Sequence, residues 1–314
     1  MQETGGHKKT ASKDDESPVT EADLIVQKTI EVCLSSLYPT LRVEGEESKE
    51  SISEKQPAVK AEQLTDAVKH FISTKQLNDS HEKRRDYINK SLRKTYNQEE
   101  IQSENFETFN TKDAVVWIDP LDGTSDFVKE NFSACTVLIG LSIGGYSRVG
   151  VVHQQFTPEN LEESATYFGT GEHGAWKVKY NKSMTVEDTL KRSIEYIEPF
   201  DHDEVCSSDK NIRIAASLQH FSAKMTLIAD KIGPVEVVKL GGAGNKCNNL
   251  TIGTVDTYLH PSPGLKFWDL CAPESIIKGM GGYATDFKLD RIKYAADADP
   301  NLKGLILAKN PVWH

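Results

Sequence analysis

The chain has 314 residues, 38% hydrophobic and 27% charged, with a formal net charge of −10. That length suits one large domain or two tightly packed halves. The acidity argues against nucleic-acid polymers and anionic membrane surfaces as main partners, and leaves room for a small anion held through divalent metals.

No apolar run approaches the ~20 residues that span a bilayer, and the N-terminus lacks the apolar stretch of a signal peptide. The five cysteines (Cys33, Cys135, Cys206, Cys247 and Cys271) contain no CxxC pair. They predict reduced, mostly buried thiols in a cytoplasmic protein without a zinc knuckle.

In chain order, residues 1–19 are polar and predict a mobile lead-in. Residues 20–37 read as an amphipathic helix, with Ala22, Ile25, Val26, Thr29, Ile30, Cys33, Leu34 and Leu37 on one stripe. Thr20 and Asp23 resemble a capping box, and Pro39 ends the helix. Residues 48–112 are strongly charged, with helical spacing at Ala61, Leu64, Val68, Phe71 and Ile72. Acids interleave with bases there, which predicts solvated surface helices forming an insertion.

Residues 114–118 read as a buried strand. Further strands follow at 134–143 and 148–153, joined by the Gly144-Gly145 turn. Residues 169–174 match G-x-G-x-x-G, but the alternating residues 175–180 predict a hairpin where a dinucleotide site needs a helix. Beyond residue 186, strands at 212–216, 235–240 and 257–260 alternate with helices at 222–231, 245–252 and 269–280. An α+β half over 1–185 followed by an α/β half over 186–314 is the expected organisation.

The informative segment is Asp119-Pro120-Leu121-Asp122-Gly123-Thr124, at the exit of the buried strand. Pro120 breaks strand pairing, and Gly123 permits close backbone approach. Hard cations such as Mg2+ take oxygen ligands. Asp119, the Leu121 carbonyl and Asp122 offer three at one turn, and Thr124 adds a hydroxyl beside them. Glu46, Asp23 and Asp269 extend the set. Taken singly, Asp23 and Asp269 are equally readable as helix caps. Carboxylates from separate segments on one metal cluster are the two-metal pattern of phosphoryl transfer.

Gly45-Glu46-Glu47, Asp119 to Thr124, and Trp268-Asp269-x-x-Ala272, in that order, resemble the inositol-monophosphatase-like superfamily. Residues 17–23, 241–246 and 262–274 are most similar to its 3'(2'),5'-bisphosphate nucleotidases, and next to its inositol polyphosphate 1-phosphatases. The resemblance implies a layered αβαβα sandwich and two or three Mg2+ ions per site, with inhibition by Li+. It implies a small bisphosphate substrate such as adenosine 3',5'-bisphosphate or inositol 1,4-bisphosphate, and a monomer.

Within the resemblance, Glu46, Asp119, Asp122, Asp269 and the Leu121 carbonyl match metal ligands. Asp23 and Thr124 match the pair that takes a proton from the attacking water, and the amides of Gly123 and Thr124 match the phosphate cradle. Ser217, Ala243, Lys246 and His260 match substrate contacts. Lys246, with the amides of Ala243 and Gly244 at a helix start, is expected to read the remote phosphate. Nucleotidases tend to carry Ser-His-Ser where this chain has Ser217-Leu218-Gln219. An inactive metal-binding interaction protein on the same scaffold is the alternative of a different class, and the presence of every expected ligand argues against it.

Overall fold

The structure is a computed structural model. It describes residues 10–12, 18–59, 110–158, 160–171, 173–181, 183–184, 194–201, 211–218 and 223–310. Most of the expected insertion, together with Glu172, Cys206 and His220, lies outside these residues.

The lead-in is partly ordered. β1 (Thr10–Ser12) pairs antiparallel with β2 (Pro18–Thr20), where the sequence had predicted a mobile segment. Helix α1 (Glu21–Leu37) follows, with Thr20 and Asp23 forming the capping box. Its most buried residues are Asp23, Gln27 and Cys33, while the other residues of the predicted apolar stripe are only partly covered. A polar face of this helix is turned inward, and hydrophobic periodicity cannot report that. A short helix, α2 (Lys49–Ser53), is capped by the Ser48 side chain.

Seven strands form the first sheet, in the order β3 (Arg42–Gly45), β4 (Ala114–Asp122), β5 (Thr136–Ile143), β6 (Tyr146–Gln154), β7 (Glu163–Thr170), β8 (Gly174–Asn181) and β9 (Glu195–Ile197). β3 and β4 are parallel, and every other pair is antiparallel. β7 and β8 meet at Thr170 and Gly174, so the Gly-rich stretch joins two strands as predicted. Between β4 and β5 lies the short helix α3 (Thr124–Val128).

The second sheet has the order β11 (Val235–Leu240), β10 (Ile212–Ser217), β12 (Thr257–His260), β14 (Leu305–Ala308), β13 (Tyr283–Thr285). Its helices are α4 (Ala223–Ile232), α5 (Ala243–Thr251) and α6 (Phe267–Gly279).

α5 and α6 lie between the two sheets, α1 packs on β4 from the far side, and α4 covers β11. This is the expected αβαβα layering. The main core runs through the middle layer, from Trp117, Leu138 and Val152 to Ile276, Tyr258 and Leu307.

Glycines permit the central contact. Gly140, Gly150 and Gly169 are cross-strand neighbours on β5, β6 and β7. A Cβ on Gly150 would come within 2.0 Å of the Ala272 carbonyl oxygen, and one on Gly140 within 2.6 Å of the Ala272 nitrogen. The row lets the α6 backbone rest directly on the sheet and so fixes where its first turn points. Cys33, Cys135, Cys247 and Cys271 are free and buried, as expected.

Candidate active site

Side chains three apart on a regular strand face opposite sides. β4 escapes this through a bulge. Asp119 pairs with Leu138 and Asp122 with Thr136, so two residues of β4 oppose one of β5. The extra residue turns Asp122 to the side of Asp119, and Pro120, with no N–H to pair, sits within the bulge. One carboxylate oxygen each from Asp119, Asp122 and Asp269 then lie within 4.8 Å of one another.

Each carboxylate is fixed by a different element. Asp122 receives the amides of Ala243 and Gly244, both at 2.7 Å, and the Thr136 hydroxyl at 2.7 Å. It therefore caps α5 across the middle layer. Asp269, in the first turn of α6, receives the Lys266 amide at 2.6 Å. Asp119 receives the Leu121 amide at 3.1 Å. Glu46 follows β3, and its amide donates to the Ile118 carbonyl at 3.0 Å, which carries the β3–β4 pairing one residue further.

A second group adjoins the first. Asp23, Glu46 and Glu47 bring one carboxylate oxygen each within 4.8 Å of one another. The Thr124 hydroxyl lies 3.3 Å from an Asp23 oxygen and 2.9 Å from the Leu121 carbonyl oxygen. It has one proton for two acceptors. Gly123, at φ 85°, turns the chain from β4 into α3 and sets this geometry.

Burial and like charge raise the affinity of these carboxylates for protons. Burial holds Asp119 well above the usual carboxylate range, and Glu46, Asp122 and Asp269 add to it. Asp269 is pushed up to about 7 by burial, then by Asp122 and Glu46. Asp122 is raised by burial, against the opposing pull of the Lys246 charge and its own hydrogen bonds. Asp23 is also raised by burial, and its bonds from Thr20 oppose the rise. Two groups of three acids held this close call for cations, and their hard oxygen donors suit a divalent ion such as Mg2+.

The expected substrate contacts come from three separate elements. Ser217 ends β10 and His260 ends β12. Lys246 is buried on α5, donates to the Gly242 carbonyl at 2.7 Å, and sits 5.2 Å from the centre of the Tyr258 ring. Burial lowers its affinity for protons, and the charges of Asp122, Asp126 and Asp269 oppose that. The Ala243 and Gly244 amides correct one expectation. They serve Asp122 instead of facing a phosphate, because a helix N-terminus bonds whichever anion is nearest.

Sequence reading passed over several residues of the site. Glu47 was visible in the Gly45-Glu46-Glu47 run. Thr136, Asp126 and Gln27 carried no local signal. Asp126 is buried beneath Gly241, where a Cβ would come within 2.3 Å of its carboxylate.

The sequence profile of the Inositol monophosphatase family matches residues 73–313. The 3'(2'),5'-bisphosphate nucleotidase 1 of Homo sapiens is 26% identical over 283 residues, spanning 88% of this chain and 74% of the relative. A staphylococcal inositol monophosphatase-1, described as a LiCl-soaked inhibitory complex, superposes with a TM-score of 0.56 at 14% identity, covering 96% of this chain and 81% of that one. An IMPase/NADP phosphatase complexed with Mg2+ and phosphate gives a TM-score of 0.53 at 14% identity, covering 96% and 82%. The two structures share the fold. With the profile running over most of the chain and through Asp119, Asp122 and Asp269, this chain belongs to the Inositol monophosphatase family.

Proposed function

We propose that this phosphatase is a Mg2+-dependent 3'(2'),5'-bisphosphate nucleotidase. It hydrolyses adenosine 3',5'-bisphosphate to AMP and phosphate, and accepts inositol 1,4-bisphosphate at its 1-phosphate in the same pocket. The observation that carries the reading is the convergence of Asp119, Asp122 and Asp269 beside the Thr124–Asp23 pair. The name of the human relative and the buried cation Lys246 support the choice of a bisphosphate.

Glu46, Asp119, Asp122, Asp269 and the Leu121 carbonyl would hold two or three ions. When bound, Mg2+ neutralises phosphoryl oxygens and lowers the pKa of a bound water. The remaining work falls to the chain itself. Thr124 donates its one proton to Asp23 and accepts from the attacking water. The raised carboxyl of Asp23 makes it a competent final acceptor for that proton. The Gly123 and Thr124 amides bind the scissile phosphate, the P–O ester bond breaks as the water oxygen bonds to phosphorus, and the leaving alkoxide takes a proton from solvent water. Ser217, Ala243 and His260 line the remainder of the substrate. An ammonium has three donors and Lys246 gives one to Gly242, so it can also meet the second phosphate. The protein works as a cytoplasmic monomer and is inhibited by Li+.

The test is a panel of kcat/KM values on adenosine 3',5'-bisphosphate, its sulfated analogue, inositol 1,4-bisphosphate and the matching monophosphates, with Lys246→Met beside the wild type. The variant should lose roughly 1.5–3 kcal/mol on the bisphosphates alone. Equal losses on mono- and bisphosphates would assign Lys246 to Asp122 and remove the support for a bisphosphate. No phosphate release from any substrate would favour the inactive scaffold.

A further inference from the structure

The inner face of α1 carries Asp23 and Gln27, one helical turn apart. Gln27 is fully buried. Its amide oxygen accepts the Glu47 N–H at 2.9 Å, and its amide nitrogen donates to the Glu47 carbonyl at 2.8 Å. That is a two-point grip on one peptide segment, the way a neighbouring strand would hold it. The same nitrogen also donates to Glu31 at 2.9 Å, which holds the amide in this orientation.

Gly45 makes room for the grip. A Cβ there would come within 2.3 Å of the Gln27 amide, and its backbone has no positive φ that would otherwise demand glycine. The grip sits at the turn that carries Glu46 and Glu47 toward Asp23. A shift of the Glu47 backbone along β3 would separate these carboxylates.

We infer that Gln27 is a positioning residue for the metal centre. It ties the Glu46-Glu47 turn in register with Asp23, and so sets the affinity of the Glu46 side of the site for a divalent cation. The inference rests on the Mg2+-dependent reading above. It concerns a side chain that touches neither ion nor substrate, and residues that orient ligands commonly change metal affinity roughly 10–100-fold.

The test titrates Mg2+ into the full-length protein by calorimetry, alongside the Mg2+ concentration for half-maximal phosphate release. Gln27→Met keeps the length and drops both bonds to Glu47. It should weaken Mg2+ binding roughly tenfold or more, while kcat returns toward the wild-type value at high Mg2+ and the substrate KM there is unchanged. Gly45→Ala pushes on the same contact from the other side and should have the same effect, which covers the case of a Gln27 variant that does not fold. In a Gln27→Ala background, where the space is vacated, Gly45→Ala should cost little further affinity. Mg2+ binding within twofold of wild type in the folded variants would overturn the inference. A wild type that binds Mg2+ but hydrolyses none of the panel would sink the substrate reading, while the calorimetric comparison still decides the role of Gln27.

Discussion

Asp119 and Asp122 are the same residue type three positions apart, yet their surroundings differ in kind. Asp119 accepts a hydrogen bond from the Leu121 amide and is otherwise surrounded by the acids Glu46, Asp122 and Asp269. Asp122 has three, two of them from the first turn of α5. Without metal, Asp119 is a charge the fold tolerates poorly, whereas Asp122 holds two layers together. Asp119→Asn should therefore keep or raise the unfolding temperature in EDTA while removing nearly all turnover. Asp122→Asn presents an N–H group toward donors and should cost about 1–3 kcal/mol of stability as well as activity. Denaturant unfolding of both variants in EDTA checks this, and equal effects on stability would refute the division of roles. Both acids were legible in the sequence from the D-P-x-D-G-T run. The difference between them was not, because two of the three partners of Asp122, the Ala243 and Gly244 amides, lie more than a hundred residues downstream.

At the scale of elements, the bulge in β4 and the glycine row under α6 do most to assemble the site. The strands and helices that the periodic pattern predicts beyond residue 186 stand within about two residues of those positions, since buried strands and helices announce themselves by their apolar period. Other features escaped that pattern, among them the short strands β9, β13 and β14. β1 pairs with β2 in a polar segment where burial gives no signal. β4 runs on to Asp122 because the bulge absorbs Pro120. The inward face of α1 is polar because it serves the site and not the core. The glycine row makes its own prediction. Gly150→Ala places a methyl group against the Ala272 carbonyl, displaces α6, and with it Asp269. It should cost about 1–3 kcal/mol, the usual penalty of overpacking, and should weaken Mg2+ binding too. Stability loss with unchanged Mg2+ affinity would mean that α6 yields without carrying Asp269 along.

The layers of the whole molecule bring carboxylates from α1, the turn after β3, β4 and α6 to one centre, which ties its stability to pH and to metal. A carboxyl raised in the folded protein stays protonated where the unfolded chain has already ionised. The folded state then binds more protons, so stability falls as pH rises through that interval. With Asp269 raised to about 7, the metal-free protein should lose stability from about pH 4 up to about pH 7. Mg2+ needs the ionised carboxylates, so its stabilising effect should be larger at pH 8 than at pH 5. Calorimetric scans at both pH values, with and without Mg2+, check this, and a Mg2+ effect independent of pH would contradict it. No described helix is long and apolar enough to cross a membrane. That the acidic centre makes this chain a metal-dependent phosphatase is tested best by phosphate release from adenosine 3',5'-bisphosphate by the wild type and by Asp119→Asn, each in Mg2+ and in EDTA. Turnover is expected only for the wild type in Mg2+. Equal release in EDTA, or an Asp119→Asn variant as active as the wild type, would contradict it.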